Sequence, residues 1–182
     1  MTDLATVYHK HLTQRVPSDP YWQYNCAAYA TAMAVNDSVL GGLSNVTGQR
    51  IRALSSEPIP DPTSPGLNVS QCVAAAGKLG VRMYRKQEPW HVLRNRVGSG
   101  ASRALLPVHY DSMDPFGCQS AGDFGHMLLV VLFDGDRVRA SDPLCDVTKW
   151  YPENVLRRAA ETFVNGTTIT YAVTRVVPKV GG

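Results

Sequence analysis

The spacing of apolar residues changes near the middle of this chain. From Cys26 the run CAAYATAMAVNDSVL carries alanines, a methionine and spaced apolar positions, and it predicts a long helix with Asn25 as its N-cap and Gly41-Gly42 as its stop. Residues 1–15 have the pattern of a short amphipathic helix. Thr47 to Leu54 predicts a second short helix, and VSQCVAAAGKLG predicts a third, entered at Asn68 or Ser70 and ended by Gly80. Beyond that point the period shortens. VRMYR reads as a first strand, WHVLRNRVGSG as a brief helix with a glycine exit, and ALLPVHYD as a strand whose Pro107 suggests an edge or a strand start. GHMLLVVLFDGDRVRASDP reads as two strands joined at Asp134-Gly135-Asp136, a hairpin signal, and TTITYAVTRVV as a further strand after the helical segment PENVLRRAAETF.

Helices first and an antiparallel sheet afterwards define an α+β chain, because an alternating parallel arrangement would interleave the two. A length of 182 residues suits one domain over 1–182, with an N-terminal arm at 1–17 and a Pro-rich loop at 55–66 that holds four prolines. The 44% hydrophobic and 18% charged content excludes a disordered or fibrous chain. No apolar run approaches the roughly 18 residues a membrane span needs, and MTDLATVYHKHLTQR lacks an apolar secretory core, so neither a membrane nor an export signal is expected.

The net charge of +3 arises from dispersed basic residues, densest at Arg82, Arg85, Lys86, Arg94, Arg96 and Arg103. They read as a solvated face rather than a specific nucleic-acid surface. Cys26, Cys72, Cys118 and Cys145 form no C-x-x-C pair, which argues against a zinc knuckle or a redox motif and leaves unpaired thiols as the default. No metal and no cofactor is expected. Cys72 falls on an apolar helix face and reads as a core residue, His109 reads as structural, and His9 and His11 are discounted as a metal pair.

Cys26 differs in its setting. A thiol at a helix N-terminus sits among unpaired backbone donors at the positive end of the helix dipole, which favours thiolate. A histidine is needed to activate it, and His126 follows the small Gly125 at the exposed start of MLLVVLF. A third group must orient the imidazole. Asp142, at the end of the next strand, lies beside the start of the first in an antiparallel hairpin. Gln23 is the nearest amide for an oxyanion, and Trp22 and Tyr24 are candidates to line a cleft with Gly125.

These segments, YNCAAYATAMAV, GHMLLVVLFDGDRV and ASDPL, resemble the motifs of papain-like cysteine peptidases that process bacteriocin leaders, and of related phage lysin and virion domains. The resemblance covers roughly residues 18–150 and implies a papain-like fold with Cys26, His126 and Asp142 as catalytic residues acting on a peptide or isopeptide bond. A peptide or protein would be the substrate, other virion proteins possible partners, and the virion or host cytoplasm the location. Two positions depart from the family. Ala27 stands where glycine usually follows the cysteine, and Pro20 stands where the oxyanion glutamine usually lies. These departures favour the alternative implied by the same resemblance, a structural virion protein that retains the fold.

Overall fold

A computed structural model describes residues 9–38, 45–63, 65–98, 100–118 and 124–176. The expected glycine stop at Gly41-Gly42 and most of the N-terminal helix lie outside these residues. In chain order the elements are α1 (Cys26–Ser38), α2 (Gly48–Leu54), α3 (Val69–Gly77), β1 (Tyr84–Pro89), α4 (Trp90–Val97), β2 (Ser102–His109), β3 (Gly125–Asp134), β4 (Arg137–Ser141), β5 (Lys149–Pro152), α5 (Glu153–Val164) and β6 (Thr168–Arg175). The strands form one antiparallel sheet in the order β1-β6-β2-β3-β4-β5.

Side-chain alternation along the strands divides the core into two halves. Leu105, Met127, Leu129 and Ala172 face α1, α2 and α3. Their sequence neighbours Ala104, Leu106, Leu128, Val130, Tyr171 and Val173 face α4 and α5. With both faces covered, the central strands are almost continuously apolar, and MLLVVLF is buried throughout.

The helix α1 is buried at every position from Ala27 to Asp37, as expected for a helix that is apolar all round. Its alanines let other elements approach closely. Gly48, the first residue of α2, packs so tightly that a Cβ there would fall 2.1 Å from Cδ2 of Tyr29. Two buried polar residues of α1 are paired close by: Thr31 donates to the Ala27 carbonyl at 2.7 Å, and Asn36 exchanges hydrogen bonds with the backbone of Val46. Asp37 receives the guanidinium of buried Arg103 at 2.6 Å and Nδ1 of His9 at 2.7 Å.

Several local expectations hold. Asn68 caps α3 through a reciprocal capping box with Gln71, Thr47 caps α2, and Gly135 turns the β3-β4 hairpin at φ 59°. Others are corrected. Residues 9–15 are not helical; they run along the molecule, with Gln14 N–H donating to the Pro143 carbonyl at 2.8 Å. The first strand begins at Tyr84, three residues beyond its expected start, because Val81 and Met83 turn inward to the helical core. β5 was not anticipated. Pro107 lies inside a central strand rather than at its start. β2 pairs with β6 only over Ser102–Leu105 and with β3 from Ala104 to His109, so at Pro107 one side of the strand has no neighbour to miss the absent N–H. No helix among the described residues is long and apolar enough to cross a membrane.

Candidate active site

Three elements deliver three side chains to one place. Cys26 is the first residue of α1, His126 the second of β3, and Asp142 directly follows β4. The hairpin register, Leu129 opposite Ser141, brings the residue after β4 beside the beginning of β3. An irregularity between Val130 and Leu132 adjusts that register, a common role of bulges near functional positions.

Nε2 of His126 lies 2.7 Å from Oδ1 of Asp142, and both side chains are buried, at 4% and 0% exposure. The imidazole's remaining nitrogen, Nδ1, is left for the Cys26 thiol, and the two groups line the same hollow close enough to interact electrostatically. Burial alone raises the thiol's pKa, but the neighbouring His126 charge and hydrogen bond, with backbone donors at Met127 and Ala27, outweigh it and lower the pKa. For His126 burial favours the neutral ring. The Asp142 carboxylate and then Cys26 reverse that and hold the imidazolium well above the ordinary histidine range. Both shifts favour a thiolate-imidazolium pair. Cys72 is the contrast: buried among apolar residues, its thiol is pushed up to about 12.

Asp142 is itself held in place. Its Oδ1 accepts the Leu144 N–H at 2.8 Å, its Oδ2 lies 3.5 Å from the Tyr110 hydroxyl, and its carbonyl accepts the Cys145 N–H at 2.9 Å. Tyr110 packs edge-on to the His126 ring, with centroids 5.0 Å apart, and stacks on Phe124. Its hydroxyl accepts the Cys118 N–H at 2.7 Å. Cys118 and Cys145 are joined by a disulfide, which corrects the expectation of four unpaired thiols. Their spacing of 27 residues carries no motif, and only the return of the chain after β4 brings them together. Cys118, Asp142 and Cys145 are also close enough to suggest a metal cluster, but the two sulfurs are bonded to each other and the carboxylate is engaged, so the set does not suit an ion.

The approach to Cys26 is built by residues the sequence did not single out. Asn25 does not cap α1 with its side chain; its Nδ2 donates to Asp19 at 2.8 Å and its Oδ1 accepts from Nε of buried Arg52 at 2.7 Å. Arg52 also donates to the carbonyls of Tyr24 and Pro65, both at 2.8 Å. One guanidinium thereby ties the turn before Cys26 to the end of the Pro-rich segment.

Two hollows meet at Cys26 and share Pro65, Gly66 and Gly125 as a neck. One, of about 610 Å³, is lined by Leu67, Val69, Met127, Phe163 and Arg85 among others. The other, of about 560 Å³, is lined by Trp22, Gln23, Tyr24, Phe124 and Leu144, with buried Gln14 at its wall. Gln14 donates to the Trp22 carbonyl at 2.8 Å, whereas the Gln23 amide makes no side-chain hydrogen bond among the described residues. A Cβ at Gly125 would fall 2.8 Å from Cε2 of Phe163, so glycine there lets the phenyl ring lie over the cleft. His109, at the end of β2, faces Ser112 at 3.1 Å.

An antiparallel sheet with a cysteine-led central helix on one face matches solved structures along nearly its whole length. The fold is that of the C39 peptidases. A C39-like peptidase from Bacillus anthracis aligns with a TM-score of 0.64 at 13% identity, covering 93% of this chain and 96% of that one. A double-glycine-motif protease from an AMS/PCAT transporter, solved with its leader peptide, aligns at 0.59 and 14% identity over 94% of both chains. The peptidase domain of Streptococcus ComA, a bifunctional ABC transporter of a quorum-sensing pathway, aligns at 0.58 and 16% identity over 92% of this chain and 99% of that one. No family model and no curated protein matches the sequence.

Proposed function

We propose that this chain is a cysteine peptidase of the C39 type, acting on an extended peptide that crosses the neck between the two hollows. The observation that carries the reading is the buried His126–Asp142 pair beside Cys26, a costly arrangement that core packing alone does not require. The Cys26 thiolate attacks the scissile carbonyl carbon, a C–S bond forms, and the oxygen takes the negative charge. The Cys26 backbone N–H and the Gln23 amide are the donors suited to that oxyanion. His126 passes its Nδ1 proton to the departing amine as the C–N bond breaks. Water then attacks the thioester, giving a proton back to His126, and the C–S bond breaks to restore the thiolate. Asp142 keeps Nε2 as the protonated, oriented nitrogen throughout.

Support for a peptide substrate comes from the neighbour solved with a leader peptide and from the narrow neck, where Gly66 and Gly125 present backbone rather than side chain. A second reading, a virion structural protein that keeps the fold, rests on the sequence resemblance to phage proteins and on Ala27 and Pro20.

The test is the pH dependence of iodoacetamide alkylation at each free cysteine, read by mass spectrometry in wild type and His126→Ala. Cys26 reacting well below the free-thiol range near pH 8.5, and losing that reactivity without His126, supports the peptidase. A Cys26 that titrates as a free thiol sinks it and leaves the structural reading. Cys72 serves as the internal unreactive control.

A further inference from the structure

A concavity of about 970 Å³ lies at the opposite end of the sheet from Cys26, lined by Arg82, Lys86, Arg96 and Arg175, with Tyr84 and Ser102 in its walls. β2 measures the separation. Ser102 begins that strand and pairs with Arg175, whereas His109 ends it and pairs with Gly125 beside His126. Seven residue steps at about 3.3 Å place about 23 Å between those ends. Across β1 the two hollows come nearer, Arg85 lining the one at Cys26 and its neighbours Tyr84 and Lys86 the concavity, but they share no lining residue, and nothing in the concavity depends on the peptidase reading.

The four cations come from three parts of the fold: β1 with the segment before it, α4, and the end of β6. Among the described residues no acidic side chain lines the hollow. Arg96 has a counter-charge, a two-pronged pair with Glu88 at 2.9 and 2.7 Å. Arg82, Lys86 and Arg175 make no side-chain hydrogen bond or ion pair among the described residues. Like charges gathered around one hollow repel each other and are relieved by a bound anion. Tyr84, two residues from Lys86 and so on the same strand face, is 56% exposed. An aromatic face beside several cations, with Glu88 as the one neighbouring counter-charge to Arg96 and Lys86, suits a ligand with both a planar ring and phosphates, and the volume exceeds what a lone phosphate needs.

We propose that this concavity binds nucleotide chemistry, phosphates against Arg82, Lys86 and Arg175 and a base stacked on Tyr84, either as a free nucleotide or within a single strand. Arg82, Lys86 and Arg96, which read in the sequence as part of a solvated face, then acquire a ligand, whereas Arg103 of the same stretch is buried against Asp37.

The experiment is fluorescence anisotropy of the full chain with a fluorescein-labelled oligothymidylate of about a dozen nucleotides, with ATP and polyglutamate as competitors. Binding is expected to weaken with added KCl at a log-log slope near about −2, the value for three neutralised phosphates on a single strand. The double variant Arg82→Glu/Arg175→Glu should weaken binding at least about tenfold, and Tyr84→Ala about fivefold or more, each with an unchanged melting temperature. Displacement by ATP identifies the free nucleotide as ligand; binding that ATP does not displace identifies the single strand. The proposal is overturned if wild type binds neither probe, if the charge-reversed variant binds as wild type does, or if polyglutamate displaces the oligonucleotide equally well and Tyr84→Ala is without effect.

Discussion

Replacing Asp142 by asparagine removes one charge from the buried site and little else. Asparagine can keep its oxygen toward His126 and the Leu144 N–H, the contacts made at 2.7 and 2.8 Å, and turn its amide toward the Tyr110 hydroxyl. The fold should therefore survive. What is lost is the attraction between a carboxylate and an imidazolium that are 0% and 4% exposed, with little solvent screening. With charge centres about 4 Å apart and an effective dielectric near 20, that attraction is about 4 kcal/mol, or about 3 pKa units. The direction follows from the shifts. His126 is raised mainly by Asp142 against its burial, and Cys26 is lowered by charged His126. Without the carboxylate the imidazolium loses its proton more readily, and the thiolate loses its partner. At pH 6, alkylation of Cys26 should fall about 100-fold or more in Asp142→Asn, and its pH midpoint should move up toward the free-thiol value near 8.5. A linked stability effect has a fixed sign. A histidine raised on folding stabilises fully below its unfolded pKa, near 6.5, and the contribution fades as pH rises through the raised value. Wild type should therefore lose its stability margin over the variant with increasing pH. An alkylation profile within about threefold of wild type in a variant that melts normally would refute the electrostatic reasoning.

Other perturbations test the frame around the site. Replacing Cys118 and Cys145 with serine opens a loop of 27 residues, worth about 3.5 kcal/mol by chain entropy; a calorimetric melting temperature about 10 °C lower is expected, and an unchanged value would show the bridge to be idle. Gly48→Ala drives a methyl group into the ring of Tyr29, whose hydroxyl is held by Asp19 at 3.2 Å, so overpacking should cost about 2–3 kcal/mol in urea unfolding. A cost under about 0.5 kcal/mol would mean that the α1-α2 contact is pliable. Asp37→Ala withdraws the carboxylate from buried Arg103 and His9, and the urea midpoint should report a loss of about 3–5 kcal/mol; a loss below about 1 kcal/mol would show that the carbonyls around Arg103 suffice.

The periodic parts of this protein were legible in its sequence because their signals are local. An alanine-rich run starting at Cys26, a helix start at Asn68 or Ser70, and an Asp-Gly turn between two apolar strands act within a few residues, and the α+β order follows from them. The placing of Cys26, His126 and Asp142 together was also readable, since a helix start, a strand start and hairpin register are each short-range rules. Long-range chemistry was not. Arg52 looks like any surface arginine of a short helix, yet it joins Asn25, Tyr24 and Pro65 across the entrance to Cys26. His9 belongs to no motif, and it is buried between Asp37 and Ser141, 28 and 132 residues away. Pro107 correctly signalled an unpaired side of its strand, but sequence does not reveal that the strand is central and that β6 leaves it two residues earlier. Cys118 and Cys145 became a bridge, and four basic side chains came to line one hollow, only through folding. The sequence by itself determined the main helices, the β3-β4 hairpin and the α+β order. Tertiary structure decided which distant polar groups are buried together, because burial makes each of them find a partner and the partner can come from anywhere in the chain.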